Sequence, residues 1–195
     1  DCKIMSIRSY YQTHMDVIAK SIPSDYNSNI DEFVDLLLNC KGKIFFTGVG
    51  KNGHVAAKAT STFSSIGVPC FFINPVDSVH GDMGVINEDD ILIAVSKSGN
   101  TEELIHFLKH VEHKNCKIVS IHSNPNNQSL DYSSLDIDLR VSKEADHLNI
   151  VPTCSIAVFT VFLQSVACEI SQRKRLTLEQ FVKNHPGGSI GKTKV

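Results

Sequence analysis

Four short runs of nearly unbroken apolar residues constrain this chain more than anything else in it: KIFFTG (43–48), PCFFIN (69–74), DILIAVS (90–96) and CKIVSIH (116–122). β-Branched and aromatic residues dominate them. A strand that is apolar at successive positions has to be covered on both faces, as in a parallel sheet. A fifth run, LDIDLRV (135–141), alternates polar and apolar positions. Between the runs the period changes, and it predicts helices over about 52–66 and 101–113, with a shorter one near 126–133. Strand alternating with helix predicts an α/β fold: a doubly wound, five-stranded parallel sheet flanked by helices.

The two ends read as helix. Residues 3–20 and 28–40 carry apolar positions at helical spacing, with Ile30, Phe33, Val34, Leu37 and Leu38 in the second stretch. The run from Thr153 to about Gln172 is apolar on most faces, which predicts a central buried helix. A last short helix over about 177–184 stops at His185-Pro186-Gly187-Gly188. Neither repeat nor linker divides the 195 residues. One domain is therefore expected, with N-terminal helices over 1–42, an α/β core over 43–175 and a tail helix over 176–195. That length buries a sizeable core without disulfides.

Composition narrows the class of partner. A net charge of −2 offers no basic face for nucleic acid. No apolar run approaches the ~20 residues of a membrane span, and the opening DCKIMSIRSYY lacks the apolar core of a signal peptide. The six cysteines (Cys2, Cys40, Cys70, Cys116, Cys154, Cys168) are scattered with no C-x-x-C pair. That pattern reads as reduced, mostly buried thiols in a cytoplasmic protein and not as a zinc site.

Two loops after strands carry chemistry. GVGKNG (48–53) fits the G-x-G-x-x-G template of dinucleotide sites. Such a site closes its second strand with an acid that holds the ribose, but here that strand ends in Ile73-Asn74-Pro75, which counts against NAD. Lys51 is followed by Asn52, where a Walker loop needs Ser or Thr for magnesium. What remains is a close backbone approach at Gly50, with Lys51 at the mouth of the sheet. The second loop, SKSGNTEE (96–103), follows ILIAV directly. Capping explains one hydroxyl there. It does not explain Ser96, Ser98 and Thr101 grouped around Gly99 at a helix N-terminus, where open N–H groups and the dipole suit a phosphate.

Taken with VHGDMG (79–84), SKEA (142–145) and NHPGGSIG (184–191), these loops resemble the sugar isomerase (SIS) domain, and within it the arabinose-5-phosphate isomerase family, over about Lys43 to Gly191. The resemblance implies a flavodoxin-like sheet and an aldose–ketose isomerase. That enzyme interconverts D-arabinose 5-phosphate and D-ribulose 5-phosphate through an enediol, with no cofactor and no required metal, in the cytoplasm, for Kdo of lipopolysaccharide or capsule. It implies Lys51, Glu103, Glu144 and His185 as catalytic residues. Which glutamate moves the carbon-bound proton stays open, and His185 is assigned to ring opening or oxygen protonation. The same resemblance implies that Gly50, Ser96, Ser98, Gly99, Thr101 and Thr153 bind substrate or its phosphate. His80 contacts substrate or an inhibitory metal. It further implies a homotetramer with shared active sites, in which His185 reaches a neighbour.

The chain departs from the family in places. Lys97 stands where an asparagine is common, Asn100 where a glutamate is, and Asn74 where a histidine is. Asp146-His147 replace a frequent Cys-Pro. Many members continue into two CBS domains, which this sequence lacks, so it is either a SIS-only isomerase or a piece of a longer one. Two other functions remain: isomerisation of another phosphosugar (a hexulose 6-phosphate or a heptose phosphate), or non-catalytic phosphosugar binding by a regulator. His106, His110 and His113 share one helix and read as a polar face. His54 and His122 read as structural or site-lining, and the Phe and Ile stripe of the strands as core.

Overall fold

In the computed structural model, which describes residues 5–24 and 27–193, the five apolar runs form one all-parallel sheet. Its strands β1 (Ile44–Thr47), β2 (Cys70–Phe72), β3 (Ile91–Val95), β4 (Lys117–His122) and β5 (Leu135–Asp138) lie in the order β2-β1-β3-β4-β5. Ile44 pairs with Cys70 on one side and with Ile91 on the other. The chain therefore leaves β1 in one direction and returns on its far side as β3. Loops that leave two such strands diverge and open a crevice beyond their carboxyl ends.

Seven α-helices among the described residues surround this sheet: α1 (Ile7–Ala19), α2 (Asn27–Leu38), α3 (Lys51–Ser65), α4 (Pro75–Ser78), α5 (Glu102–Val111), α6 (Cys154–Arg173) and α7 (Leu178–Asn184). Alternation along the central strands splits the core in two. Ile44, Phe46, Ile91, Ile93 and Val95 face α2, α3 and α6, with Phe33 of α2 stacked on Phe162 of α6 at 6.2 Å. Phe45, Leu92 and Ala94 face α5 through Leu104, Phe107 and Leu108. The helix starts have local causes. Ser6 accepts from the Ser9 N–H at α1, Asn74 accepts from the Val76 N–H with Pro75 at the first position of α4, and Thr177 and Gln180 form a reciprocal capping box at α7.

Several expectations need correction. The β2 stripe is not all core, since Phe71 and Phe72 are 50% and 39% exposed. β2 is the sheet edge next to β1, and hydropathy alone does not tell an edge from a centre. The stretch near 126–133 forms only a 3₁₀ turn at Gln128–Tyr132, capped by Asn127. The helix expected to reach 113 ends at Val111, and a 3₁₀ turn follows to the left-handed Asn115. α6 has 20 residues and a mean hydropathy of 1.6, so one run does have the length and composition of a membrane span. Half of it is buried, and it packs on α1 and α3 as a core helix. Cys2 lies outside the described residues. Cys70 and Cys154 are buried, Cys40 and Cys116 half-buried and Cys168 exposed, all as free thiols.

Candidate active site

The first glycine loop joins β1 to α3. A Cβ on Gly48 would strike the Asn52 backbone and the Val95 carbonyl, and one on Gly53 would strike the Gly48 carbonyl. These two glycines permit strand and helix to touch. Gly50 differs: it has φ +58°, and a Cβ there would meet nothing within 4 Å. It is the N-cap of α3 with no side chain capping it. The uncapped turn opens on a cavity of about 360 Å³ lined by Gly48, Gly50, His54, Phe72 and Asn74. Lys51 begins α3 and is exposed at the rim. Two buried oxygens near this loop, Thr47 Oγ1 and Asn52 Oδ1, have no partner. Asn74, where a dinucleotide site would hold its acid, caps α4 and donates to Asp77 at 2.8 Å.

The second loop is braced before any ligand arrives. Ser96 is 4% exposed, accepts from the Gly99 N–H at 3.1 Å and bonds the Thr101 hydroxyl at 3.3 Å. Gly99 has φ +64°, and a Cβ there would run into Asn127. Asn124 donates to the Ser98 carbonyl, and Asn100 accepts from the Gln128 N–H. Thr101 occupies the N-cap position of α5 without capping it, so the first-turn N–H groups stay open. Ser98 is exposed, and among the described residues its hydroxyl accepts only from the Asn100 N–H, which leaves its O–H free to donate. Of the three hydroxyls, Ser96 builds the loop, while Ser98 and Thr101 stand at its surface.

Glu103 and His80 share a cavity of about 540 Å³ with Val79, Glu102 and His106. Val76 lines this cavity and the first, so the two adjoin. His106 is thus more than part of a polar face. Its spacing of three from Glu103 and four from Glu102, which puts all three on neighbouring faces of one helix, is the signal in the sequence that could have found it. Among the described residues, no three His, Cys, Asp or Glu side chains are grouped to hold a metal ion. His54 lines the first cavity. His122 is fully buried and bonds Asp136 at 3.2 Å.

Glu144 stands apart from these cavities. It is 2% exposed, and both carboxylate oxygens are engaged. Oε1 lies 2.6 Å from Lys97 Nζ. Oε2 accepts from the Thr153 N–H at 2.8 Å, the Thr153 hydroxyl at 3.2 Å and the Ser155 N–H at 3.2 Å. Burial works against the charged form, but the lysine and the donors on Oε2 outweigh it and hold the pKa down at about 2. Thr153, expected at the phosphate, spends its hydroxyl on Glu144 and on the Ala145 N–H. Glu144 and Thr153 thus tie the 143–153 loop to the head of α6. Asp146 closes the same loop by accepting from the N–H groups of Leu148, Ile150 and Val151.

His185 lies elsewhere. α3 runs 15 residues from Lys51 to Ser65, about 22 Å at 1.5 Å per residue. Asn184 donates to the carbonyl of Ser65 at the far end of that helix. The His185 ring stacks on Phe181 at 4.1 Å, and its Nδ1 donates to the Phe181 carbonyl. Within one chain, His185 therefore stands at the opposite end of the sheet from Lys51 and the second loop. What the carboxyl end gathers is a loop with an uncapped helix N-terminus, a lysine at the rim of the first cavity, and a carboxylate and an imidazole in the cavity adjoining it. Together these can bind a phosphate ester and move a proton.

Known proteins resemble this chain over most of its length. The SIS domain family matches residues 37–169. Arabinose 5-phosphate isomerase KdsD of Pseudomonas aeruginosa is 36% identical over 165 residues, 83% of this chain and 51% of the relative. The Francisella tularensis enzyme of the same name is 32% identical over 176 residues, 89% of this chain and 54% of the relative. This chain thus spans about half the length of the curated relatives it matches. Among solved structures, an E. coli CFT073 protein in complex with arabinose 5-phosphate superposes with a TM-score of 0.88 at 32% identity, covering 92% of this chain and 95% of that one.

Proposed function

The chain belongs to the SIS domain family, and from that premise we propose that it is an aldose–ketose isomerase interconverting D-arabinose 5-phosphate and D-ribulose 5-phosphate. The observation that carries the reading is the braced loop at 96–101: an uncapped helix N-terminus with the Ser98 O–H free, beside a cavity that holds Glu103 and His80. An anion there sets a five-carbon chain across the crevice, its carbonyl end toward the cavity. The relatives named above, and the arabinose 5-phosphate held by the E. coli protein, favour this sugar over other phosphosugars.

The chemistry asks for little more. In the open-chain aldose, a site carboxylate takes the proton from C2 while the C1 oxygen gains one, which gives the 1,2-enediol. Return of a proton to C1 and loss of the O2 proton give the C2 ketone. Lys51 at the rim offsets negative charge that develops on the oxygens. No electron leaves the sugar, so no redox cofactor enters the balance.

His185 takes part only if a second copy of the chain supplies it, because its own chain holds it a helix length away. Phe72 and Val76, exposed at the first cavity, and Phe71, exposed on the other face of β2, provide apolar surface for such a copy. A homotetramer with shared sites, in a reducing cytoplasm that suits the five free thiols among the described residues, completes the reading. Run from ketose to aldose, the same reaction makes arabinose 5-phosphate, which would feed Kdo synthesis. The test is incubation of the chain with arabinose 5-phosphate and a panel of other sugar phosphates, read as ketose formation. Ribulose 5-phosphate forming from arabinose 5-phosphate alone is the expected result. Turnover of a different sugar would change the substrate, and binding without turnover would make the chain a regulator.

A further inference from the structure

The two glutamates singled out for proton transfer sit in contrasting surroundings, and the difference traces to one residue of the phosphate loop. Glu103 lines the open cavity, and among the described residues no hydrogen bond or ion pair engages its carboxylate. Glu144 has both oxygens occupied, and its partner on Oε1 is Lys97, the charged residue of the 96–101 loop. The Lys97 side chain is 41% exposed where that of Glu144 is 1% exposed, so among these partners the ammonium is the one that meets solvent. Lys97 is held from its backbone as well. Its carbonyl accepts from the Ser123 N–H at 3.0 Å, and the Ser123 hydroxyl accepts from the Val141 N–H at 2.9 Å. One residue thereby links the loops that follow β3, β4 and β5.

We propose that Lys97 is a positioning residue of this site: its pairing with Glu144 fixes the phosphate loop to the head of α6, commits Glu144 to that anchor and leaves abstraction of the carbon-bound proton to Glu103. The inference rests on the isomerase reading and deepens it, by deciding between two carboxylates. A base needs a lone pair open to the substrate. The Glu144 side chain is 1% exposed, with an ammonium on one oxygen and three donors on the other, and its pKa, held down at about 2, makes it a poor proton acceptor near neutrality. The titratable groups around Glu144 are Lys97 from the β3 loop, Lys143 from its own loop and Cys154 from α6. Asp146 is turned to N–H groups of its own loop. Of these, only Lys97 bonds the Glu144 carboxylate through a charged group.

The experiment compares Lys97→Met, Lys97→Arg, Glu103→Gln and Glu144→Gln in the same chain. The Glu144 carboxyl signal, assigned in ¹³C-glutamate spectra by its loss in Glu144→Gln, is followed with pH. Lys97→Met should raise its midpoint by about one pH unit or more, the scale of losing an adjacent opposite charge, and Lys97→Arg should not. With arabinose 5-phosphate, Lys97→Met should lower kcat roughly ten- to a hundredfold, as a small misplacement does, with a smaller change in KM. Lys97→Arg should recover most of it. In deuterated water, Glu103→Gln should abolish exchange of the substrate C2 proton, while Lys97→Met keeps a slowed exchange. An unmoved Glu144 midpoint in Lys97→Met, wild-type kcat in that variant, or exchange persisting in Glu103→Gln would each overturn the proposal. An unmutated chain that does not isomerise arabinose 5-phosphate fails the functional reading instead, and the titration still decides whether Lys97 governs Glu144.

Discussion

Replacing Glu144 with glutamine should destabilise the fold near neutral pH and lose most of that effect in acid. The carboxylate is buried, so its two protonation states differ in energy through the partners it holds: the Lys97 ammonium, the Thr153 hydroxyl and the N–H groups of Thr153 and Ser155. Its pKa falls from 4.5 to about 2. At 1.36 kcal/mol per pH unit, that difference corresponds to roughly 3 kcal/mol favouring the folded state at pH 7. Lys97 is 41% exposed, and screening of that end of the pair trims the figure toward about 2 kcal/mol. The sign follows from the direction of the change. A depressed carboxylate contributes its stability above the unfolded value of 4.5 and loses it as pH falls through about 2.

Glutamine fills the same space and keeps an acceptor for one N–H, but it cannot titrate. Urea unfolding of the wild type and Glu144→Gln, at one protein concentration, should therefore show a gap of about 2–3 kcal/mol at pH 7. At pH 3, somewhat more than half of that gap should be gone, with the wild type moving more than the variant. A gap that stays constant from pH 7 to pH 3 would mean that shape, and not charge, is what Glu144 supplies. The account of the α6 head given above would then be wrong.

Other consequences are as direct. Ser98→Ala should weaken phosphosugar binding by about 1–2 kcal/mol, the scale of a hydrogen bond to a charged group, in calorimetric titration. Equal affinity of the unmutated chain for arabinose and its 5-phosphate would refute a phosphate cradle at 96–101. Glu103→Gln should lower kcat by about 10²–10⁴-fold, as loss of a general base does, and change KM far less. Near-full turnover would remove Glu103 from the chemistry. Isomerisation should survive exhaustive chelation with no nicotinamide added, and activity restored by a metal would count against the proposed mechanism. Mixing inactive His185→Ala with inactive Glu103→Gln chains should return part of the activity. No recovery, despite demonstrated subunit exchange, would confine His185 to its own chain.

How much of this was legible in the sequence depended on how local each feature is. β1, β3 and β4 could be read because a central parallel strand carries apolar residues at successive positions, and the burial of all five residues of β3 follows from that pattern. β2 carries the same kind of run in Cys70, Phe71 and Phe72, yet two of the three are exposed. The run says "strand" and is silent on whether a neighbour covers it. The positions of both loops could be read because a glycine or hydroxyl straight after a strand lies at the sheet's carboxyl end by construction. The burial of Glu144 could not, since its partner Lys97 is 47 residues away and only the packing of three loops brings them together. His106 was within reach. Grouping it with His110 and His113 on the helix hides its closeness to Glu103 and Glu102 at the other end of the same turn.

The position of His185 follows from strand polarity. In an all-parallel sheet, every strand delivers its loop to one edge and every following helix carries the chain back to the other. A residue placed after a return helix, as α7 follows α6, starts from the edge away from the ligand loops. Asn184 fixes that by bonding the last residue of α3, the helix whose first residue is Lys51. No side-chain rotamer spans about 22 Å, the length of that helix. If His185 does act in isomerisation, the distance has to be closed by a second copy of the chain. The tail makes this feasible: α7 is exposed along Leu178, and the glycines at 187 and 188 that follow have open space around them, with Gly188 at φ +69°. The symmetry of the assembly would then be part of the catalytic apparatus, since each copy lends its tail to one site and borrows another's for its own.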